Sequence, residues 1–182
     1  MEDALPEGWV WLSDLDWESG AAGWTKNGDK VPRRDRDVEE NPLRLPVQVR
    51  RDPPRQPDTS GPAPAHVRSP EGVPAVGGRF RKGIGTHAPS EIVYRLDGKY
   101  DRFYAIVGGG EDRGTVVFQV FADDAKLYDS GLMRGQRETK TVEVPLPPAA
   151  RRLRLVVTDA GDNYYADMAT WAAARLRRAP AK

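Results

Sequence analysis

The second half of the chain alternates hydrophobic and polar residues with the two-residue period of β-strands. In residues 91–96, Ile92, Tyr94 and Leu96 fall on one face and the residues between them on the other. Residues 115–121 (TVVFQVF) are rich in the β-branched and aromatic side chains that favour strands. Turn residues separate such runs every ~8–12 residues. The pattern predicts strands at residues 91–96, 100–107, 115–121, 126–128, 141–144 and 153–157.

The predicted strands follow one another without intervening helices. This order favours antiparallel sheets packed face to face over an α/β fold. The alternation implies that each sheet has one buried and one solvated face. We therefore predict an all-β protein, an antiparallel β-sandwich. Residues 169–176 are rich in alanine, so propensity alone leaves a helix open there.

Length and composition are typical of one domain. The chain has 182 residues, 38% of them hydrophobic and 30% charged, so we expect a single domain over residues 1–182. Lys+Arg 28 nearly balance Asp+Glu 27, for a net charge of +1. That balance gives no field to attract nucleic acid or an anionic membrane. The sequence has no transmembrane run and no cysteine for disulfides or metal sites, and its acidic first residues differ from the basic start and apolar stretch expected of a signal peptide.

A segment at about residues 46–78 differs in composition from the rest of the chain. Eight of the 16 prolines lie there, mixed with Arg, Asp and Ser, and residues 50–72 have almost no aliphatic side chains. Such a composition favours an extended insertion with little independent structure. Val47 and Val49 alternate with polar residues, which allows one short strand at its beginning.

Four of the five tryptophans lie near the start of the chain, at Trp9, Trp11, Trp17 and Trp24. A tryptophan buries ~150–250 Å², so a place in the core is the simpler interpretation for most of them. Trp24 differs because it follows the small residues 20–23 (GAAG), which we interpret as an exposed loop. An indole on such a loop offers a flat ring to a ligand.

Several turns are acidic. Asp14 and Asp16 flank one leucine, and Asp159 and Asp162 lie in a glycine-containing loop. Calcium takes about six to eight oxygen ligands from carboxylates and backbone carbonyls. Ordinary turn chemistry explains the same residues, since Asp, Asn and Gly favour turns. The four aspartates are therefore candidate calcium ligands, with plain turns as the alternative.

Residues 82–91 (KGIGTHAPSE) are the most distinctive stretch of the chain. Gly83 and Gly85 indicate that the backbone comes close to another segment. His87 is expected at the start of a strand, before a turn fixed by proline. A histidine there either hydrogen-bonds a ligand hydroxyl or locks the loop from inside.

The sequence lacks the common enzyme signatures. It has no G-x-S-x-G, no H-E-x-x-H, no P-loop and no G-x-G-x-x-G that opens a helix. A glycosidase needs two carboxylates about 5 or 6.5–9.5 Å apart across a cleft, and no acidic pair stands out. We expect a non-catalytic protein, with a hydrolase as the least favoured alternative.

Four blocks of the sequence together resemble the NPCBM family of carbohydrate-binding modules. These blocks are WLSDLDW…GW, KGIGTHAPSEIVYRLDGKYDRFYAIVG, VVFQVFADDAKLYDSGLM and LRLVVTDAGDNYYAD…W…ARL. The resemblance implies a galactose-binding-like jelly roll in which residues 169–176 form the closing strand. It also implies non-catalytic binding of galactose-type glycans, attachment to or association with a secreted glycoside hydrolase, an extracellular location and often a structural calcium ion.

The chain departs from this family at the closing block, which usually reads D-H-A-D-W-A-D-A. Met168, Thr170 and Ala173 replace a histidine and two acids. The Pro-rich segment is also longer than the family's usual connection, and three glycines precede the acids Glu111 and Asp112. An alternative function follows: a structural or protein-interaction module with a degenerate sugar site, whose working surface is the Pro-rich segment.

The predicted sugar site combines one flat ring with a few polar groups in a shallow depression. Trp24 supplies the ring, and His87 binds hydroxyl groups. Four further residues at loops and strand ends support them: Glu91, Asp162, Asn163 and Tyr164.

Overall fold

The computed structural model describes residues 5–46, 78–109, 113–135, 138–162 and 165–180. Within these ranges the chain forms short and long β-strands and the 3-10 turn Leu12–Asp14. The strands are β1 Trp9–Trp11, β2 Trp17–Ala21, β3 Arg33–Arg34, β4 Leu43–Arg44, β5 Arg79–Phe80, β6 Gly83–His87, β7 Ser90–Arg95, β8 Tyr100–Gly109, β9 Thr115–Ala122, β10 Ala125–Asp129, β11 Met133–Arg134, β12 Thr139–Pro145, β13 Arg152–Thr158 and β14 Met168–Arg178. No helix in the described ranges has the length and apolarity needed to cross a membrane.

Two antiparallel sheets pack face to face. The front sheet has the order β12-β8-β14-β6-β3, with β1 also paired to β14. The back sheet has the order β10-β9-β13-β7-β2, with β11 also paired to β9. Strands β4 and β5 form a separate two-stranded ribbon. The predicted all-β antiparallel sandwich is confirmed.

The core lies between the two sheets and is centred on aromatic rings. Trp171 of the front sheet meets Phe118 of the back sheet edge-on, with ring centroids 5.0 Å apart. It also meets Phe103 of β8 at 6.2 Å. All three side chains are fully buried. Along β9 and β13 every second residue is buried in this core. The alternation seen in the sequence therefore marks the core-facing positions of these strands.

The alanine-rich closing segment is a strand, although its propensity leaves a helix open. β14 lies inside the front sheet and pairs with β8, β6 and β1. Ala172 and Ala174 are fully buried there. A strand covered on both faces needs small or apolar side chains on both, so tertiary context outweighs propensity.

Residues 35–46, the cover segment, lie over the outer face of the front sheet. A Cβ atom on Gly85 would lie 2.2 Å from the carbonyl oxygen of Arg36. One on Gly83 would lie 2.9 Å from Cδ1 of Leu43. The two glycines therefore let the cover segment lie directly on β6, which accounts for their presence in the distinctive stretch.

The ribbon β4–β5 closes just after the cover segment. The backbone N–H of Leu45 donates to the carbonyl of Gly78 at 2.9 Å. The predicted insertion at about residues 46–78, with its possible strand at Val47–Val49, lies almost wholly outside the described residues.

Candidate functional site

Trp24 and His87 come together at one end of the sandwich. His87 is the last residue of β6, and its partner across the sheet is Met168, the first residue of β14. The ring centroids of Trp24 and His87 are 5.9 Å apart, with the planes tilted by 55°. Trp24 is 41% exposed, whereas His87 is 5% exposed. The pair presents an open indole face with a histidine set behind it.

The segment before Trp24 is packed, which corrects the expectation of an exposed loop. Gly20 and Ala21 complete β2, and Ala22 is buried. The N–H of Gly23 donates to the carbonyl of His87 at 2.8 Å, and a Cβ atom on Gly23 would lie 2.2 Å from the carbonyl oxygen of Ala88. Because this glycine allows so close an approach, the indole that follows is held beside the histidine.

A backbone carbonyl fixes the hydrogen-bonding role of His87. Its Nδ1 lies 2.8 Å from the carbonyl oxygen of Ala88. A carbonyl oxygen only accepts, so Nδ1 carries the proton. In the neutral ring Nε2 is then an acceptor, and it has no protein partner among the described residues. The site therefore offers one oriented acceptor to a ligand hydroxyl.

A groove of about 650 Å³ adjoins the pair on the outer face of the front sheet. The cover segment forms one wall and the first residues of β14 form the other. Met168 lines the groove and is the register partner of His87, so the groove and His87 are neighbours on the front sheet. Its walls include Asp37, Glu39, Asn41, Arg44, Met168 and Thr170.

The acidic wall of the groove is a prebuilt turn. One carboxylate oxygen of Asp37 accepts the backbone N–H groups of Glu39 and Asn41, both at 2.8 Å. The amide of Asn41 donates to the Glu39 carboxylate at 3.3 Å. Such side-chain-to-backbone bonds hold a turn in one conformation. The sequence analysis missed these residues, because an Asp–Asn turn carries no sign of which surface it will face.

Of the four supporting residues, the structure places two and describes neither of the others. Asp162 lies at the same end of the sandwich as His87, where it accepts the hydroxyl of Thr115 at 2.6 Å. Glu91 points instead to the outer face of the back sheet, where it pairs with Arg154 at 3.7 Å. Its position in β7, between the buried Ser90 and Ile92, turns it outward. Asn163 and Tyr164 lie outside the described residues.

The four aspartates proposed for calcium form two groups at opposite ends of β6. Asp14 pairs with Lys82, the residue just before this strand, and Asp16 pairs with Arg34 at 3.2 Å. Asp159 and Asp162 follow β13, at the end where β6 finishes. Within the described ranges, no three acidic or histidine side chains gather into a metal cluster. The four residues therefore do not share one site, and calcium binding stays a prediction.

Asp167 is a buried carboxyl group beside the site that the sequence analysis did not single out. Its Oδ1 accepts the backbone N–H of Thr115 at 2.9 Å, whereas its buried Oδ2 has no partner. The pKa of Asp167 is raised to about 6, chiefly by burial; the hydrogen bond from Thr115 opposes this rise, and the charges of Asp162 and Asp159 contribute to it. Its backbone carbonyl accepts the N–H of Ala88, which ties the carboxyl group to the turn after His87.

The loop end of this β-sandwich carries an exposed ring and an oriented acceptor, and a polar groove adjoins them. These features are typical of a binding module. The chain belongs to the NPCBM/NEW2 domain family, which matches residues 8–177. This match confirms the resemblance seen in the sequence.

Solved structures of the same architecture carry sugars. A CBM51 module from Clostridium perfringens GH95, in complex with methyl-galactose, is 30% identical, covers 92% of this chain and 99% of its own, and has a TM-score of 0.68. A structure of CBM51-2 in complex with GlcNAc and of INT domains, from Clostridium perfringens ZmpB, is also 30% identical. It covers 93% of this chain and 31% of its own, with a TM-score of 0.68.

Curated relatives are much longer than this chain. Alpha-1,3-galactosidase B of Akkermansia muciniphila is 31% identical over 109 residues, which are 55% of this chain and 13% of that protein. Another relative, from Renibacterium salmoninarum, is 33% identical over 100 residues and is matched over 7% of its length.

Proposed function

We propose that this chain is a non-catalytic carbohydrate-binding module for galactose-type glycans, attached to or acting beside a secreted glycoside hydrolase outside the cell. The observation that carries the proposal is the contact between the exposed ring of Trp24 and His87 at the loop end of the sandwich. Membership in the NPCBM/NEW2 family supports it, as do the sugar-bound CBM51 structures and the galactosidase relative.

The two side chains recognise complementary parts of a sugar. A pyranose has an apolar C–H face, which stacks on the open indole of Trp24. A hydroxyl group at the ring's edge then donates to Nε2 of His87. The groove next to the pair accepts the remainder of the glycan and offers it polar side chains.

Affinity of one module is expected to be weak. One ring and a few solvated hydrogen bonds offset little of the cost of ordering the sugar and the loops. Linkage to a parent enzyme, or several modules on one polymer, raises the effective affinity. This dependence fits a module whose relatives are matched over small fractions of long chains.

The test is calorimetric titration with galactose and N-acetyllactosamine. Trp24→Ala is expected to reduce affinity at least about tenfold, because the stacking surface is lost. The exposed apolar side chain of Leu132 lies in a different loop, so Leu132→Ala serves as the matched control and leaves affinity unchanged. Absence of binding to either sugar at millimolar concentration would overturn the proposal.

A second substitution separates recognition from folding at His87. In His87→Asn the amide nitrogen takes the place of Nδ1 and keeps the bond to the carbonyl of Ala88, but the Nε2 acceptor is lost. The expected result is weaker sugar binding with an unchanged melting temperature. Unchanged affinity in this variant would remove the histidine from the site.

Calcium is a separate part of the proposal. Asp159 and Asp162 supply carboxylate oxygens on an irregular loop, the ligand type that calcium prefers. A metal that binds only the folded chain raises the melting temperature. We expect such a rise on addition of calcium to chelator-treated protein and its loss in Asp162→Asn. An identical melting curve with and without calcium would exclude a structural ion.

A further inference from the structure

Two arginines face each other across the ribbon at the rim of the groove. Arg44 of β4 and Arg79 of β5 are direct register partners, as are Leu43 and Phe80. Directly opposed residues of antiparallel strands project to the same side, with Cβ atoms about 4.5–5.5 Å apart. Leu43 is buried against the front sheet, whereas Arg44 and Arg79 are both exposed and share the other face of the ribbon, at the rim of the groove that Arg44 lines.

No described residue neutralises this pair of like charges. Neither guanidinium has a hydrogen-bond or ion-pair partner in the described part of the chain. Other basic residues nearby do have acidic partners. Arg33 pairs with Asp29 and Glu40, and Lys82 pairs with Asp14 and Asp35. Like charges placed directly opposite each other destabilise a ribbon, and an anion between them would remove that cost.

Arg44 is also part of the groove wall, which makes the groove polarised. Asp37 and Glu39 are held in the turn described above and present acceptors to sugar hydroxyls. Arg44 follows them along the cover segment, so the cationic side of the groove is at the ribbon. Asp37 and Glu39 repel an acidic group on a ligand, and Arg44 attracts it. The ligand therefore lies with its acidic group toward the ribbon.

We propose that the groove selects glycans that carry an anionic substituent, a sulfate or a carboxylate, which the guanidinium groups of Arg44 and Arg79 bind. The inference rests on the proposed sugar-binding function and names the class of glycan. Arginine suits both anions, since its planar fork donates two parallel hydrogen bonds to paired oxygens.

The experiment compares one galactose-terminated disaccharide in three forms: neutral N-acetyllactosamine, its 3′-O-sulfated derivative and its sialylated derivative. Calorimetry on the full chain is expected to show about tenfold tighter binding of at least one anionic form at ~50 mM salt, and a smaller preference at ~300 mM. The double variant Arg44→Gln/Arg79→Gln is expected to bind all three forms like the neutral sugar. The difference between the sulfated and the sialylated form identifies which anion the pair prefers.

Arg151→Gln is the matched control. Arg151 is exposed, lacks a side-chain partner among the described residues and lies beyond the far end of β7, where its carbonyl accepts the N–H of Leu96. It is expected to keep the preference, and thermal melting checks that all variants fold. Equal affinity of the wild type for neutral and anionic forms would overturn this inference alone, as would a preference that survives in the double variant. Absence of binding to all three forms would overturn the proposed function itself.

Discussion

The outer faces of the two sheets differ in how they are covered, and the difference locates the site. On the back sheet no described segment lies over the outer face, and long side chains line it: Arg154 stacks over Phe121 at 4.4 Å and pairs with Glu91. On the front sheet, backbone packs against backbone, because Gly83 and Gly85 admit the cover segment. A groove requires a second wall that stays in place, and only a covered face supplies one.

The same difference sets what each face tolerates. Surface side chains adjust to a substitution by changing rotamer, whereas two backbones in contact cannot. Changes on the back face are therefore expected to be mild and local. Changes beneath the cover segment are expected to affect stability and groove shape together.

The largest effect is expected from Gly85→Ala. The new Cβ atom would lie 2.2 Å from the carbonyl oxygen of Arg36 and 2.5 Å from Cα of Asp37. The cover segment has to move, at a cost of about 2–4 kcal/mol in the free energy of unfolding. Urea denaturation measures this cost.

Gly20→Ala in the back sheet is the matched control for that substitution. Its nearest neighbour would be Nε1 of the Trp17 side chain at 3.3 Å, which can shift. The expected cost is below ~1 kcal/mol. Equal costs for the two alanines would contradict the contrast between the faces.

An intermediate effect is expected from Asp167→Asn. The native pKa of Asp167, about 6, lies above the ordinary value of 3.8, so the folded chain binds more protons than the unfolded chain between these values. Its contribution to stability is complete below about pH 4 and is lost as pH rises through 6. The asparagine keeps the Thr115 hydrogen bond without the buried charge, and is expected to stabilise the fold by about 1 kcal/mol at pH 7.5 and not at pH 4.

Chemical denaturation at both pH values, with a chelator present, measures the difference between variant and wild type. Glu91→Gln on the back face is the control, because this carboxylate is half-exposed and faces Arg154 rather than the core. It is expected to show no such pH-dependent gain. A destabilised Asp167→Asn at pH 7.5 would show that the ionised carboxylate is preferred in the folded state.

The smallest effect is expected from Arg154→Ala. The substitution removes the contact of Arg154 with the Phe121 ring and its 3.7 Å ion pair with Glu91, both at the surface. Such contacts contribute less than ~1 kcal/mol. A thermal melt checks this, and a cost comparable to that of Gly85→Ala would mean that the back face is as tightly determined as the front.

Much of the fold could be predicted from the sequence, since alternation gives β7, β8, β9, β10, β12 and β13, whereas the short strands near the start of the chain carry no such pattern. In β9 the period of two is complete from Val116 to Val120. The closing strand is different, because burial on both faces removes the alternation from its alanines. There the family resemblance supplied the assignment that propensity could not.

The site could be predicted only in part. The exposed indole of Trp24 and the side chain of His87 could be chosen from the sequence as candidate binding groups, and Gly23 brings them together by its close approach to Ala88. The groove was not recognisable, because Asp37, Asn41 and Arg44 gain their role only from packing on β6. The calcium candidates show the same limit: the partner of Asp14 is Lys82, 68 residues away, and no local pattern shows such a contact.

The bond between the N–H of Leu45 and the carbonyl of Gly78 makes this position a natural grafting point. Chain ends held at hairpin distance can be joined by a turn of about two to five residues, and doubling the length of a flexible loop costs only ~0.6 kcal/mol. A short turn, a reporter peptide or a reactive tag that joins the chain at this point would therefore leave the pairing of β4 with β5 in place. Since Arg44 and Arg79 flank the junction, such a label would sit at the rim of the groove and could report its occupancy directly.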